Sequence, residues 1–490
     1  MHNPDEPLRY LELGSGQQDR INLHAAAMPD WQFYGLCDHP AAAQQAKKTA
    51  VAAGLEATIM DISIESFAEQ GIQNNLPLFD VIAIDRAWST VSEEERQHLL
   101  AITGRHIKPG GIICLGYHAM PGCVPLVPLR DLMLQQTAAS ASDGKADPFV
   151  TLQALYFTDT YAEEADSGFF AQVPTSRQYL ESIKLTPFEQ LQRDWLNPDW
   201  KPFYFADISQ QMETVRCRFA ASLNLSSQLD MCLPEGTVPL LHQEEDPVLR
   251  ETIRDFGLNQ HTRLDLFARG ISLVDPASVT ERLEAVPFGL TLPLEAIDSV
   301  VLPSPLGDLH FDDEIYTLFL KALSEDSYRP KTLTELKAHS HLEMLDGTLF
   351  PAVINILVAA GTVFPARATV TLESEKACAR LNRILCEYSR DGNIQPALAS
   401  PVLGTGIGLS RVWQLFLLAH ADGAVDPLAC AKAVLPILAG TSGTGQPDHA
   451  QTGAALEEEA RLFFEIGLPY LIAMKVCPAR QPSEGILHDN

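Results

Sequence analysis

The sequence predicts an α/β protein. A doubly wound, mostly parallel sheet comes first, then a mostly helical middle domain, then a winged-helix-like and helical C-terminal region. Three observations predict the sheet. Strand-like and helix-like stretches alternate from residue 8 to 123, which is typical of βαβ units with right-handed crossovers. The run Phe79–Ile84 is apolar apart from one Asp, as in a buried parallel strand. A Gly-Ser-Gly turn at 14–16 follows the first strand.

The sheet elements are predicted from apolar patterning and from helix-end signals. Pro40 and Gly54 mark the start and end of one helix, and Ser92 with Glu95 three residues later forms a capping-box signature for another. The stretch Lys108-Pro109-Gly110-Gly111 is predicted to be a turn. Strands are expected at Leu8–Leu13, Gln32–Cys37, Ala57–Met60, Phe79–Ile84 and Ile112–Leu115, with helices at 21–27, 40–54, 63–70 and 92–106.

The length of 490 residues predicts about three domains. We expect a Rossmann-like domain at 1–137, a middle domain at 149–300 and a C-terminal domain at 306–478. The order helix, turn, helix and strand-like end between 312 and 366 is compatible with a winged-helix module, although no helix there is basic enough to read DNA. The glycine-rich stretch 404–408 is interpreted as a turn before a helix.

Composition and charge limit the classes of partner. The chain has 35 basic and 63 acidic residues, a formal net charge of −28, which repels nucleic-acid phosphates and anionic lipid. We therefore expect no nucleic-acid partner, and a basic protein or small cation is easier to recruit. The nine cysteines form no CxxC pair, and neither a signal peptide nor a membrane span is recognised. These features indicate a cytoplasmic protein.

Acidic residues and glycines follow the predicted strands at the spacing of a nucleotide site. Ligands of doubly wound sheets bind outside the carboxyl ends of the strands. Asp38 lies 22 residues after Gly16, close to the spacing of a ribose-binding acid, and Asp61 ends the third strand, where it can accept from an adenine amino group. The joint pattern predicts an S-adenosylmethionine (SAM) site. Its expected residues are Glu12, Gly14, Gly16, Asp38, Asp61, Ile62 and Asp85.

Five stretches carry a resemblance to a known family. They are Phe79–Ser92, Tyr117–Gly122, Leu196–Phe205, Phe267–Gly270 and Leu357–Gly361. These stretches resemble class I SAM-dependent methyltransferases with a methyltransferase regulatory domain, the group that includes the rickettsial protein lysine methyltransferases. The resemblance covers nearly the whole chain. It implies a SAM-binding domain, a regulatory domain, a winged-helix-like region and N-methylation of protein lysines.

The chain departs from that family at the expected site. Residues Gln17–Arg20 stand where the family continues its first turn with Gly-Gly-Asn, so the third glycine is missing. Asp85-Arg86 replaces a His-Gly pair, Thr90 and Cys123 each replace a Trp, and His118 replaces an Asn. The family's Tyr/Pro-rich leader has no counterpart in the seven residues before Leu8. The chain is therefore expected to be a divergent member, with either a different acceptor or a lost reaction.

Three residues are candidates for catalysis. Asp85 could stabilise or deprotonate an amine, and His118 could act as a base near neutral pH. Tyr117 and Trp88 could form a wall for an ammonium or sulfonium through cation–π contacts. The predicted catalytic residues are Asp85, Tyr117 and His118, and the predicted acceptor pocket comprises Trp88, Tyr117 and His118. The alternative, in which these residues cap helices and pack, stays open. No metal-ligand spacing supports a metal site.

Two functions follow as hypotheses. One is a SAM-dependent methyltransferase that acts on an amine, either a protein lysine or a small cationic substrate. The alternative is a degenerate methyltransferase-like protein that has lost catalysis and acts as a binding or partner subunit. A homodimer and a heterodimer with a related methyltransferase are both left open as assemblies.

Overall fold

The computed structural model describes residues 7–14, 20–37, 39–70, 76–85, 87–140, 148–164, 168–186, 191, 195–270, 274–393, 395–440 and 453–479. Its largest sheet has seven strands: β1 (Arg9–Leu13), β2 (Gln32–Cys37), β3 (Ala57–Asp61), β4 (Phe79–Ile84), β5 (Ile107–His118), β6 (Cys217–Ser222) and β7 (Thr262–Arg269). Their order is β3-β2-β1-β4-β5-β7-β6. The first five strands are parallel, and β7 runs antiparallel to both β5 and β6. The predicted α/β class and doubly wound sheet are confirmed.

Four of the helices between the first five strands lie where the sequence predicts them, and the short helix at 87–90 was not predicted. Pro40 opens its helix, and Gly54 ends it in the left-handed conformation with φ 63°. Ser92 and Glu95 form the predicted capping box. The helices are α1 (Arg20–Ala27), α2 (Pro40–Ala53), α3 (Ile64–Gln70), α4 (Ala87–Thr90) and α5 (Glu93–His106).

The fifth strand is longer than predicted. Residues Lys108–Gly111, expected as a turn, lie inside β5, so that prediction is wrong. The pairing is irregular there: Phe79 of β4 faces Ile107, but Val81 faces Ile112. Gly110 has a φ of 82°, which glycine adopts without strain. The turn-forming residues therefore produce a bulge in a continuing strand.

The sheet also extends beyond the predicted Rossmann-like domain at 1–137. Its strands β6 and β7 come from the segment expected to form the middle domain. The helices α10 (Phe205–Thr214), α11 (Leu225–Gln228), α12 (Val238–Gln243) and α13 (Pro247–Leu258) surround them. Ile208 and Met212 of α10 join Leu13, Ile84 and Leu115 of the sheet in one buried apolar cluster. The first domain therefore needs residues up to 269 to complete its sheet and core.

The described residues between β5 and α10 include the helices α6 (Leu126–Ser140), α7 (Pro148–Glu164), α8 (Phe169–Gln172) and α9 (Thr175–Lys184). Met133 of α6 and Ile183 of α9 belong to a small apolar cluster that also includes Cys123 and Trp200. This group of helices packs beside the carboxyl end of β5.

A second, smaller unit follows. Its helices are α14 (Pro276–Ala285), α15 (Glu314–Tyr328), α16 (Leu333–Lys337) and α17 (Phe350–Ala359), and its strands are β8 (Pro287–Leu290), β9 (Val300–Leu302), β10 (Leu309–Phe311), β11 (Lys331–Thr332) and β12 (Val363–Pro365). The order helix, strand, helix, helix, strand from α15 to β12 agrees with the expected element order. The three-stranded sheet, however, has the order β11-β8-β12, so its central strand precedes residue 306. A winged-helix-like fold for this unit stays a prediction.

The C-terminal part is mostly helical and packs on the first domain. It contains α18 (Leu372–Arg390), β13 (Ala397–Ser400), β14 (Thr405–Gly408), α19 (Arg411–Ala421), α20 (Pro427–Gly440), α21 (Gly453–Leu462) and α22 (Leu468–Ala473). Leu23 and Ala27 of α1 share an apolar cluster with Leu381 of α18 and Ile407 of β14. The glycine-rich stretch 404–408 is therefore mainly a strand paired with β13, and its prediction as a helix-start turn is wrong.

In the part of the chain that the structure describes, no helix has both the length and the apolar character needed to cross a membrane.

Candidate functional site

The carboxyl ends of four parallel strands meet at one edge of the sheet. Leu13 of β1 pairs with Leu36 of β2 and with Ile84 of β4, and Cys37 pairs with Asp61 of β3. Gly14, directly after β1, has a φ of 74°, a left-handed conformation that glycine adopts without strain. Two predicted cofactor residues, Gly16 and Asp38, lie outside the described residues. The edge is where a ligand of a doubly wound sheet binds.

Glu12, Arg20 and Asp85 form an ion-paired group at this edge. The Arg20 guanidinium donates from Nε and Nη2 to Oε1 of Glu12, at 3.0 and 2.7 Å, and from Nη1 to Oδ2 of Asp85, at 2.5 Å. The Glu12 side chain is 0% exposed, whereas Arg20 and Asp85 are 25% and 32% exposed. The structure thus brings together two predicted residues, and their link is an arginine from the stretch that interrupts the family's glycine pattern.

Asp61 and Ile62 lie at the neighbouring strand end, as predicted. The Asp61 side chain is exposed, and among the described residues nothing hydrogen-bonds its carboxylate. Ile62 is half-buried against the apolar cluster of the sheet. An acceptor and an apolar contact beside each other are the groups that an adenine ring needs.

A cavity of about 460 Å³ opens beside Asp85. It lies where β5, the helices after it and the loop before β7 converge. Of the predicted catalytic residues, Asp85, Tyr117 and His118 all line it. Its other lining residues include Cys123, Tyr179, Trp195, Asn224, His261 and Arg263. A second cavity of about 660 Å³ shares Asn224, His261 and Thr262 with it and extends towards Pro303–Pro305 and Phe364.

An aromatic group fixes His118. Its ring centroid lies 5.5 Å from those of both Trp195 and Trp200, and the Trp200 indole N–H donates to His118 Nδ1 at 2.9 Å. Because an indole N–H can only donate, Nδ1 is the acceptor, and the neutral ring carries its proton on Nε2. In this arrangement neither ring nitrogen has a lone pair available to take a proton from an amine. The role of His118 as a base stays a prediction, and the structure shows its ring held by Trp200 in the cavity wall.

Tyr117 is tied to a buried ionic cluster on β7. Its hydroxyl donates to Oδ2 of Asp265 at 2.8 Å, and the same oxygen accepts from Nε of Arg263 at 2.7 Å. Arg263 also donates to Asp255 at 2.6 Å and to Glu251 at 2.8 Å. Burial raises the pKa of Tyr117 well above its ordinary value. The phenol therefore stays protonated, and its proton is engaged by Asp265. Tyr117 is one of the residues that line the cavity.

The cluster has more carboxylates than guanidinium groups. Glu251, Asp255 and Asp265 face Arg254 and Arg263, all with side chains at most 9% exposed. One carboxylate oxygen of Asp255 and one of Asp265 have no hydrogen-bond partner among the described residues. Burial raises the pKa of Asp255 to about 7. Arg263 is the member of this cluster that lines the cavity, and the buried carboxylates paired with it offset its positive charge.

Trp88, predicted as a wall of the acceptor pocket, lies elsewhere. Its side chain is 1% exposed and belongs to the apolar cluster beneath the sheet, so this prediction is wrong. The aromatic wall is supplied instead by Trp195 and Tyr179. Trp88 lies in the short helix α4 after β4, where the sequence pattern gives no information on the direction of a side chain.

The stretches that carry the resemblance meet in space. The Ser89 hydroxyl accepts from the backbone N–H of His118 at 2.8 Å, and the Ser89 carbonyl accepts from Lys201 N–H at 2.8 Å. Asn197 donates to the carbonyl of Thr90 at 2.6 Å. The backbone of Phe203 bonds both the His118 carbonyl and the Met120 N–H, at 2.9 Å each. These hydrogen bonds fix the loops after β4 and β5 against the entry to α10.

The two cysteines near the site are not activated. Burial raises the pKa of Cys114 to about 11 and that of Cys123 to about 12. Both remain thiols at neutral pH, so they are poor nucleophiles.

Four residues at the site were not predicted from the sequence: Arg20, Trp195, Arg263 and Asp265. One signal was present for the last two. Arg263 and Asp265 alternate with leucines in an apolar strand, and residues two apart share a face, so a buried charged pair could have been expected. No comparable signal marks Trp195, whose place depends on how the chain returns to the cavity.

Comparisons with known proteins agree with this architecture. A family model described as "Predicted methyltransferase regulatory domain" matches residues 188–269. An uncharacterised protein of the cyanobacterium Synechocystis, sll1526, is 30% identical over 423 residues, which are 85% of this chain and 81% of that protein. The solved structure of PKMT2 from Rickettsia typhi matches 96% of this chain and 95% of that chain, with a TM-score of 0.66 at 17% identity. The same Rickettsia protein in complex with AdoHcy matches with a TM-score of 0.66 at 16% identity, over 96% of this chain and 93% of that chain.

The segment matched by the regulatory-domain model is built into the sheet and the cavity. It contains β6 and β7, as well as Trp195, Arg263 and Asp265. In this chain the matched segment thus supplies the last strands of the seven-stranded sheet and one wall of the candidate site.

Proposed function

We propose that this chain is a SAM-dependent methyltransferase that methylates an amine. It belongs to the same family as the Synechocystis protein. It has a methyltransferase fold, and its residues 188–269 match a methyltransferase regulatory domain. The single observation that carries the proposal is the arrangement of the two sites. The cofactor edge formed by β1 to β4 and the cavity beside Tyr117 share one residue, Asp85.

The residues at the edge fit SAM. Gly14 gives close access to the backbone, Asp61 offers an acceptor to the adenine amino group, and Ile62 offers an apolar contact. Glu12, Arg20 and Asp85 together carry one net negative charge, which complements a ligand with one net positive charge. When bound, SAM supplies an activated methyl group at a sulfonium. The protein's task is to position the acceptor and to exclude water.

The cavity fits an amine acceptor. The Tyr117 oxygen, oriented by Asp265, is available to accept an N–H of the acceptor. The aromatic faces of Trp195 and Tyr179 line the cavity and favour a cation before it loses its proton. The net charge of −28 adds a longer-range attraction for basic molecules. The adjoining cavity of about 660 Å³ gives room beyond the reacting nitrogen, which supports an amine on a larger molecule such as a protein lysine.

One observation favours the alternative of a degenerate, non-catalytic member. Arg20 bridges Glu12 and Asp85 and so occupies part of the gap between the ends of β1 and β4. If that bridge is permanent, the site lacks room for the amino-acid part of the cofactor. The protein would then act as a binding or partner subunit.

The deciding experiment is a calorimetric titration of the purified chain with SAM and with AdoHcy. The methyltransferase hypothesis predicts saturable binding of both. Failure to bind at millimolar SAM would exclude it and leave the degenerate alternative. A transfer assay with radiolabelled SAM on a lysate, followed by acid hydrolysis of the labelled product, would then show whether the label is on methyl-lysine or on a small amine.

A Tyr117→Phe variant tests the acceptor site. The substitution removes the hydroxyl but leaves Asp265 paired with Arg263. We expect the kcat/KM of methyl transfer to fall about tenfold or more, because one lost hydrogen bond to a polar acceptor costs roughly 1.5–3 kcal/mol. Affinity for SAM should stay within twofold. The matched control is Tyr156→Phe on an exposed position of α7. Equal activity of the two variants would remove Tyr117 from the acceptor site.

A further inference from the structure

We propose that Arg20 recognises the carboxylate of the cofactor's amino-acid moiety, and that on binding it exchanges its contact with Asp85 for that carboxylate. This inference rests on the proposed function, since it concerns the same cofactor site. It goes further by assigning a role to the side chain that interrupts the expected glycine turn, and by giving Asp85 a role that depends on the ligand.

The two contacts of Arg20 differ in a way that favours such an exchange. Two N–H groups hold it to Glu12, which is fully buried and has no route to water. A single N–H holds it to Asp85, which is 32% exposed at the cavity. Loss of the Glu12 contact would leave a buried charge unpaired, whereas Asp85 can be solvated. Glu12 is therefore the fixed anchor and Asp85 the replaceable partner.

The guanidinium has donors left for a ligand. Arginine carries five N–H donors in a planar fork, and the three contacts above use one each on Nε, Nη1 and Nη2. The side chain is 25% exposed, so its outer edge is accessible. A carboxylate matches this edge in two parallel hydrogen bonds, which is the strong geometry for arginine. Arg20 also begins α1, where a helix N-terminus adds positive potential.

The charges match after exchange and not before. SAM carries a carboxylate, an ammonium and a sulfonium, so it brings one negative and two positive charges. When Arg20 pairs with Glu12 and the ligand carboxylate, Asp85 becomes available for the sulfonium of the ligand. AdoHcy has no sulfonium charge. Asp85 should therefore favour SAM over AdoHcy, whereas Arg20 should serve both ligands alike, because both carry the carboxylate.

The test uses three ligands: SAM, AdoHcy, which lacks the sulfonium charge, and methylthioadenosine, which keeps the adenosine part but has neither carboxylate nor ammonium. Affinities are measured by calorimetry on the full chain. We expect Arg20→Met to weaken SAM and AdoHcy about 10- to 100-fold, with methylthioadenosine unchanged within twofold. Arg20→Lys should recover part of the loss. Arg461→Met, on an exposed helix, is the matched control and should bind like the wild type.

A second variant covers the case in which Arg20→Met does not fold because Glu12 is left unpaired. Asp85→Asn keeps the Glu12–Arg20 pair intact. We expect it to weaken SAM about tenfold while AdoHcy stays within about twofold, since only SAM carries the sulfonium charge. The double variant Glu12→Gln/Arg20→Met removes both charges of the buried pair and should reproduce the ligand pattern of Arg20→Met.

The outcomes separate this inference from the proposed function. If the wild type binds none of the three ligands, the proposed function fails and this inference fails with it. If the wild type binds SAM but Arg20→Met weakens methylthioadenosine as much as SAM, Arg20 only supports the fold and the inference is overturned. Unchanged SAM affinity in Arg20→Met, or equal effects of Asp85→Asn on SAM and AdoHcy, would also overturn it.

Discussion

Single buried residues form an ionic cluster around Arg263, which lines the cavity. Asp255 and Asp265 share the Arg263 guanidinium, which also lies over the ring of Phe205 at 4.4 Å. Taking charges out of water is costly, so a cluster with an excess of carboxylates relieves the cost by holding a proton. The proton on Asp255 and the hydrogen bond from Tyr117 to Asp265 are two aspects of the same compensation.

The raised pKa of Asp255 leads to a prediction for stability against pH. Burial raises it from 3.8 to about 7, so the folded protein binds this proton more tightly than the unfolded chain. Its contribution to stability is full below about pH 4 and is lost as the pH rises through about 7. Asp255→Asn mimics the protonated form, so the Tm of the variant relative to wild type should increase from pH 5 to pH 8.

Scanning fluorimetry across that range checks this prediction, with the exposed Asp308→Asn as the control. Parallel Tm curves for wild type and Asp255→Asn would mean that Asp255 is ionised throughout the range.

At the scale of elements, the turn between β5 and α6 must lie against the loop before β7. The N–H of Gly122 donates to the Gln260 carbonyl at 2.9 Å, and that of Ala119 to the His261 carbonyl at 2.9 Å. A Cβ at position 122 would lie 2.4 Å from the Asn259 carbonyl oxygen, so only glycine allows this approach. The contact holds His261 in the wall of the cavity.

Gly122→Ala should therefore destabilise the protein. The neighbours that a Cβ would meet are backbone atoms of Asn259 and Gln260, which cannot turn aside like a flexible side chain. We expect the free energy of unfolding to fall by about 1–3 kcal/mol, as it does when a side chain overpacks a protein interior. Urea unfolding followed by tryptophan fluorescence measures it. Gly236→Ala is the control, because a Cβ there meets nothing within 4 Å. Equal midpoints for the two variants would contradict the close approach.

At the scale of the whole molecule, the C-terminal part supports the helices beside the cofactor edge. Arg367 donates to the carbonyl of Ala27 at 2.8 Å and to both carboxylate oxygens of Asp30. Arg380 donates to the carbonyl of Ala53 at 2.8 Å. These bonds satisfy carbonyls at the ends of α1 and α2. Because α1 begins with Arg20, the packing of residues far along the chain bears on the cofactor site.

Arg367→Ala tests that support. Its ion pair with Asp30 is largely exposed and worth little, but the bond to the end of α1 and the packing around it are lost. We expect the free energy of unfolding to fall by about 1 kcal/mol. Hydrogen exchange, measured by mass spectrometry, should become faster in peptides covering α1. Peptides covering β4 and α5 should be unaffected. The control is Arg461→Ala on exposed α21. Unchanged hydrogen exchange in α1 would show that the apolar contacts of Leu23 and Ala27 hold this helix in place without Arg367.

Much of the first domain could be predicted because its signals are local. Signals of this kind depend on neighbours a few residues away, as do the spacing of apolar residues and the ends of helices. The structure confirms the Ser92 capping box and the helix ends at Pro40 and Gly54. The turn predicted at 108–111 failed because the pairing of β5 with β4 continues past a local turn signal. The prediction of Trp88 as a pocket wall was wrong because the direction of its side chain depends on tertiary packing, which no local sequence pattern records.

The sequence by itself determined the class of fold and the first five strands of the sheet. The assignment of their carboxyl ends to the cofactor stays a proposal. Only the tertiary structure decided the partners of the charged residues. Arg20 meets Asp85 across 65 residues, His118 meets Trp200 across 82, and Tyr117 meets Asp265 across 148. Periodicity and capping specify elements, but such pairs depend on which elements become neighbours, because an ion pair or hydrogen bond needs contact in space.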